Sequence, residues 1–296
     1  MKNRFVFILL ATLIFSGCGP ASSPAPGPTE TPKPVETPAP VATLTFPPTT
    51  TTPANSSYPS LPREASWQIQ YTGEELDTSL DVDVFNLDLF DTSSATFETL
   101  RNRGVFVMCY FSAGSYEDWR PDASSFPDEV LGKDMEGWPG EKWLDIRRID
   151  LLAPIIEARL ELAVEKQCDG VDPDNINGYT NDTGFPLTAG DQIAFNLYLS
   201  EAAHQRGLAI GLKNDLEQIP ELVSHFDWII NEECFSYGEC ELLLPFAQAG
   251  KPIFVIEYEL QPADFCTQAV GMGFNALHKN WELDAYRVDC RQFSGQ

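Results

Sequence analysis

From Trp67 onward the chain alternates short apolar runs with longer amphipathic ones. The short runs are Trp67–Tyr71, Val82–Leu89, Val105–Ser112, Gly170–Asp174, Ala209–Asn214, Trp228–Cys234, Ile253–Tyr258 and Asn275–Lys279. They are apolar or β-branched and often end on a polar side chain, which predicts buried strands. Between them, Ser94–Arg103, Leu152–Gln167, Ala189–Arg206, Leu216–Phe226, Glu239–Ala249 and Pro262–Val270 predict helices. Thr188 with Asp191 three residues on has the spacing of a helix N-terminus, and Gly207 and Gly250 are placed to end helices. Repeated alternation calls for parallel strands joined by right-handed crossovers. Roughly eight strands over about 230 residues predict an α/β fold of the closed (β/α)8 TIM-barrel type. An open doubly wound sheet would normally show a glycine-rich phosphate loop after its first strand. Here Thr72-Gly73-Glu74-Glu75 follows instead.

In a parallel α/β fold, ligands bind where strands give way to loops at their C-terminal ends. Asp172 and Asp174 fall at such an end, because Pro173 cannot donate to a central ladder and should stop the pairing. The other strands deliver Asp88 and Asp91, Tyr110 and Ser112, Lys213, Asn214 and Asp215, Asn231, Glu232 and Glu233, and Glu257, Tyr258 and Glu259. A single surface acid means nothing, but acids repeated at successive strand ends of one barrel point to a site. Two carboxyls facing one bond can cleave a glycoside, one as proton donor and the other as nucleophile or base. The same layout could bind a divalent cation through oxygen ligands, although no spacing here forms an EF-hand-type loop. The long stretch from Ser112 to Leu152 leaves the same edge with Trp119, Trp138 and Trp143, whose flat faces suit sugar rings or pin the loop to the barrel.

Residues outside this pattern divide the chain. Lys2 and Arg4 precede the apolar run Phe5 to Phe15 and then Ser16-Gly17-Cys18, the layout of an export signal (residues 1–18) that resembles a lipobox with Cys18 as the lipidated residue. Residues 19–62 are rich in Pro, Thr, Ser and Ala, and predict a disordered, extended tether before the barrel domain of residues 63–296. The chain is then an extracytoplasmic protein, held to the membrane only through an N-terminal lipid. Export makes disulfides available. Cys234 with Cys240 can staple a loop, Cys266 with Cys290 can tie down the C-terminal tail, and Cys109 and Cys168 read as buried thiols in strands. With 3 histidines and no C-x-x-C pair, neither a His-based metal site nor a Ser-His-Asp triad has support, and no metal or other cofactor is expected. A formal net charge of -25 disfavours nucleic acid and suits a cationic partner.

A series of motifs adds to this reading. Trp67-Gln68-Ile69-Gln70, Asp88-Leu89-Phe90-Asp91, Cys109 to Glu117, Gly137 to Asp145, Asp169 to Asn175, Gly211 to Asp215 and Asn231 to Phe235 occur in an order that resembles glycoside hydrolase family 114, the endo-α-1,4-polygalactosaminidases. The resemblance covers about Trp67 to Glu259. It implies a barrel enzyme that cuts α-1,4-linked galactosamine polymers of the kind found in microbial biofilm exopolysaccharides. It implies catalysis by an Asp on the fourth strand and a Glu on the sixth, here Asp174 and Glu232. Asp88, Tyr110, Asp172, Lys213, Asp215, Glu233, Glu257 and Tyr258 are then expected to bind substrate. For Glu232 to act as proton donor, burial or neighbouring acids must raise its pKa. A surface lipoprotein that binds polysaccharide without cutting it, and a barrel glycosidase for another α-galactoside, are the competing expectations.

Overall fold

The computed structural model describes residues 58–73 and 76–293. The export signal with Cys18, and the predicted tether as far as residue 57, lie outside the described residues. In chain order the main elements are β1 (Trp67–Gln70), β2 (Val84–Asp88), α1 (Ser94–Asn102), β3 (Phe106–Ser112), β4 (Ser115–Glu117), β5 (Leu131–Asp134), β6 (Glu141–Leu144), α2 (Ile149–Glu165) and β7 (Gly170–Asp174). They continue with α3 (Ala189–Gln205), β8 (Ala209–Lys213), α4 (Ile219–Leu222), β9 (Trp228–Glu232), α5 (Cys234–Tyr237), α6 (Leu244–Gln248), β10 (Ile253–Glu257), α7 (Pro262–Met272), β11 (Asn275–His278) and β12 (Val288–Asp289). At the start of α3, Thr188 and Asp191 form a reciprocal capping box.

The main sheet has nine strands in the order β1-β2-β3-β7-β8-β9-β10-β11-β12. The first eight are parallel in sequence order, and β12 adds antiparallel to β11. This corrects the closed (β/α)8 barrel expected from the strand count: the sheet is curled but open. A backbone ladder between β1 and β11 would close it, but β11 takes β12 as its partner instead, through Leu277 with Asp289 and His278 with Val288. The seam is bridged by side chains. Trp67 Nε1 donates to the carbonyl of Asn275 (3.0 Å), Asn275 Oδ1 accepts from the backbone N–H of Ala65 (3.1 Å), and Lys279 Nζ reaches Gln68 Oε1 (3.2 Å).

Alternation along each strand sorts side chains onto two faces. Phe85, Leu87, Val107, Cys109, Phe111, Val171, Ile210, Leu212, Ile229 and Val255 pack outward under the helices. Trp67, Ile69, Val84, Met108, Trp228, Ile230, Phe254, Ile256 and Leu277 fill the concave side. The Trp228 indole takes the space that side chains at Gly170 and Gly211 would need: a Cβ at Gly211 would lie 2.1 Å from Trp228 Nε1. Counting by twos along the concave face, Asp172, Asp174, Lys213, Glu232 and Tyr258 share its parity and form its upper rim. Glu257, like Val255, belongs to the convex face.

Pro173 does not end β7 on both sides. The ladder to β3 runs on through Phe111 with Pro173 and Ser112 with Asp174, whereas the ladder to β8 stops at Val171 with Ile210. Beyond β3 the long insert folds into a three-stranded antiparallel sheet in the order β4-β6-β5. Three disulfides are present among the described residues: Cys109–Cys168, Cys234–Cys240 and Cys266–Cys290. The first corrects the reading of Cys109 and Cys168 as separate thiols. They are 59 residues apart in sequence, but β3 and β7 are hydrogen-bonded neighbours because the insert returns the chain to the same strand edge.

Candidate active site

The rim of the concave face is organised by one buried lysine. Lys213 Nζ lies 3.2 Å from Asp174 Oδ1 and 3.2 Å from Glu232 Oε2, joining the ends of β7, β8 and β9. These two carboxyl oxygens are therefore no more than twice that distance apart. The acids around it hold the Lys213 ammonium protonated, against the effect of burial. The residues that follow Asp174, Lys213 and Glu232 all turn into positive φ: Asn175 (61°), Asn214 (53°) and Glu233 (64°). A left-handed residue directly after each strand ends the ladder and turns the chain into its loop, at a conformational cost that clusters at functional sites.

Glu232 has donors on both oxygens. The Tyr258 hydroxyl donates to Oε1, and Asn214 Nδ2 (3.3 Å) and Lys213 share Oε2. Asn214 Oδ1 in turn accepts from the backbone N–H of Glu232 (2.9 Å) and from Asn231 Nδ2 (3.2 Å). Burial pushes the Glu232 carboxyl up, but Lys213, Tyr258 and Asn214 outweigh it, so the net direction is downward. This reverses the expectation of a raised Glu232: its nearest neighbours are a cation and two neutral donors.

The raised carboxyl at the rim is Asp172. It is fully buried, and desolvation, opposed by Lys213, lifts it to about 6. Its Oδ2 accepts from Asn86 Nδ2 (2.7 Å) and Tyr71 (3.4 Å), while Oδ1 has no hydrogen-bond partner. Tyr110 pairs with Asp172 across the ladder and packs on Tyr71, with ring centroids 4.3 Å apart. On the other side Trp281 is stacked on Tyr258 at 4.1 Å, keeps half of its surface exposed and donates its Nε1 to Glu259 (2.8 Å). The flat face next to Glu232 is therefore Trp281, from the loop after β11. Trp119 and Trp138 of the insert are exposed without a ring partner among the described residues.

Other expected rim residues have partners or surroundings outside the Lys213 cluster. Asp88 is held by Arg120, with Nη2 to Oδ2 at 2.7 Å, and Arg120 also grips Glu117 at 2.8 Å. Glu257 accepts from the backbone N–H of Phe235 (2.8 Å) and the Ser236 hydroxyl (2.7 Å), fixing α5 on the convex face. Asp215 accepts from Asn196 of α3 at 2.8 Å. Glu233, the left-handed residue after β9, has its carboxyl raised by partial burial and by Glu257, Glu232 and Glu259. Among the described residues no group of three or more His, Cys, Asp or Glu is arranged to hold a metal ion.

A carboxyl pair under a shared lysine, at the C-terminal ends of parallel strands beside an exposed aromatic, is an arrangement suited to glycoside chemistry. The family model described as Glycoside-hydrolase family GH114 matches residues 48–294. The chain belongs to family GH114. This GH114 chain is similar to the crystal structure of Aspergillus fumigatus Ega3 in complex with galactosamine, at 40% identity and a TM-score of 0.75, covering 79% of this chain and 98% of that one. The glycoside hydrolase domain of PelA from Pseudomonas aeruginosa shares the fold at 16% identity and a TM-score of 0.60, covering 75% of this chain and 97% of that one. An uncharacterized protein of Deinococcus radiodurans is 28% identical over 241 residues, 70% of this chain and 77% of that protein. The GH114 chain is thus a glycoside hydrolase on family grounds.

Proposed function

We propose that the protein hydrolyses α-1,4-galactosaminidic bonds within a galactosamine-containing polysaccharide, with Asp174 as nucleophile and Glu232 as acid/base. The observation that carries this reading is the placement of both carboxyls on Lys213 Nζ, at 3.2 Å each. Asp174 attacks the anomeric carbon as the glycosidic C–O bond breaks, and Glu232 gives a proton to the leaving oxygen. In the second half, Glu232 takes a proton from water, which displaces the sugar from Asp174. The two oxygens held by Lys213 are at most twice 3.2 Å apart, which accommodates the ~5–5.5 Å carboxyl spacing of retaining pairs.

Since Glu232 is lowered in the free site, its protonated form, the one able to donate to the leaving oxygen, gains population as the pH falls below neutral. Trp281 offers a stacking face to a sugar, and Tyr110, Tyr258 and Lys213 offer hydrogen-bonding groups. The galactosamine in the Ega3 complex supports an amino-sugar polymer as substrate. So does the formal net charge of -25, which attracts ammonium groups. Three disulfides support an oxidising, extracytoplasmic setting. Cys18 is proposed as the lipid attachment point, with residues 19–62 as the tether to a bacterial surface.

The test is incubation with a defined α-1,4-galactosamine oligomer and mass analysis of the products. Shorter oligomers from the wild type, and none from Asp174→Asn or Glu232→Gln, are the expected result. Binding without cleavage would make the protein a polysaccharide-binding lipoprotein, and cleavage of a neutral α-galactoside alone would reassign the substrate.

A further inference from the structure

Asp174 is followed by a residue whose side chain is tied into the insert sheet. Asn175 stands at φ 61° and donates its backbone N–H to Asp174 Oδ1 at 2.7 Å. Its Nδ2 lies 2.8 Å from Ser112 Oγ, 3.1 Å from Ser115 Oγ and 3.2 Å from Glu141 Oε1. The two hydroxyls are within hydrogen-bond distance of each other, and Ser115 donates to Glu141 Oε1. The direction of the chain follows from the donor inventory. The Asn175 amide N–H can only donate, so Ser112 accepts, Ser112 donates onward to Ser115, and Ser115 needs an acceptor. That acceptor is Glu141, a 5% exposed residue of β6. Without it, a buried line of donors has no end.

We propose that Glu141 is a positioning residue: it terminates this line, fixes the Asn175 turn and thereby holds the Asp174 carboxylate toward Lys213. The inference rests on the assignment of Asp174 as nucleophile. It gives the insert sheet a task, because β4 supplies Ser115 and β6 supplies Glu141, so the small sheet braces the end of β7 from outside the main sheet. The brace is close-fitting. Gly114 N–H donates to the Asp174 carbonyl at 3.0 Å, and a Cβ on Gly114 would fall 1.8 Å from the Asn175 carbonyl oxygen. Glu141 itself is raised to about 7, chiefly by burial. Protonation on its other oxygen leaves Oε1 able to accept, so the brace does not depend on the charge.

The test is a cycle of variants assayed on the galactosamine oligomer. Glu141→Leu removes the acceptor and is expected to lower kcat by roughly 10–100-fold with KM within about 2-fold, as expected for a misplaced reacting group. Glu141→Gln keeps a carbonyl acceptor at the same place and restores most of that loss. In an Asn175→Ala background, Glu141→Leu costs little more, because both changes cut one line. Ser115→Ala removes the hydroxyl relay but leaves the direct Asn175–Glu141 contact, so it gives a smaller kcat loss in the same direction if the leucine variant does not fold, and an unchanged kcat there overturns the proposal. Full additivity with Asn175→Ala, or no rescue by Gln, overturns the proposal. An active Asp174→Asn control would instead overturn the nucleophile assignment, so the two failures are distinguishable.

Discussion

Tyr258, one residue past β10, donates its hydroxyl to Oε1 of Glu232, the last residue of the neighbouring β9. With Lys213 and Asn214 on Oε2, this bond favours the ionised carboxylate in a half-buried place. Removing a donor from the ionised form raises a carboxyl pKa. Tyr258→Phe should therefore leave Glu232 protonated to higher pH and move the basic limb of kcat/KM upward. A hydrogen bond to a charged group contributes about 1.5–3 kcal/mol, and one pH unit is about 1.4 kcal/mol, so the shift should be roughly one to two units. A pH–rate profile of the variant checks it. A limb that stays in place would mean that another group sets it.

Lys213 is the cation among Asp172, Asp174 and Glu232, and all three acids act to raise its pKa. Lys213→Met leaves three acids facing one another with no counter-charge. Breaking a buried pair by removing one partner costs about 3–5 kcal/mol. The loss should be largest at pH 7 and smaller at pH 5, where the cluster can take up a proton. If Asp174 and Glu232 act as proposed, turnover should fall by at least ~10²-fold, since the cation that bridges and orients the two carboxyls is gone. Urea unfolding at the two pH values, together with single-turnover kinetics, reads both effects.

Much of the placement of these residues at strand ends was legible in the sequence. The strands and the ends that carry Asp174, Lys213 and Glu232 follow from apolar runs closing on polar residues. Strand parity, read from Val255, would also have placed Glu257 on the convex face, beside Phe235 and Ser236. Closure was not legible, because eight parallel strands suit an open or a closed sheet and the outcome depends on two residues of β12 far down the chain. The capture of Asp88 by Arg120 and the pairing of Cys109 with Cys168 depend on how a 36-residue stretch between β3 and α2 folds back. Trp281 lay outside the recognisable motifs, and only the return of the chain after β11 sets it on Tyr258.

Asp215 carries a pH prediction that does not involve Asp174 or Glu232. It is buried against α3, its Oδ1 has no hydrogen-bond partner, and desolvation lifts its carboxyl to about 7 despite the bond from Asn196. A carboxyl raised in the fold favours the native state while protonated. That contribution is full below the unfolded value near 3.8 and is lost as pH rises toward about 7. The protein should therefore lose stability over that window, with Asp172 and Glu141 acting in the same direction. Asp215→Asn keeps an acceptor for Asn196 and removes the charge. It should flatten the decline and raise Tm at pH 8, by an equivalent of no more than about 4 kcal/mol at ~1.4 kcal/mol per unit. Thermal melts from pH 4 to 8 on both proteins measure the difference. A parallel slope in the variant would exclude Asp215 as a source.

The Cys109–Cys168 bond joins β3 to the residue pair leading into β7, closing a loop that contains the whole insert and α2. In the chain-entropy view a cross-link across 59 residues restricts the unfolded state and stabilises the fold by about 2–4 kcal/mol. It lies on the convex face, whereas Asp172 and Asp174 stand on the concave one. Five ladder pairs between β3 and β7, from Met108 with Gly170 to Ser112 with Asp174, hold the register without it. The double variant Cys109→Ser/Cys168→Ser should therefore unfold several degrees lower, yet turn over oligomer at near wild-type kcat well below its Tm. Thermal melts in parallel with initial rates separate the two effects. A large loss of kcat at a temperature where the variant is folded would mean that the bond, rather than the ladder, sets the position of Asp174.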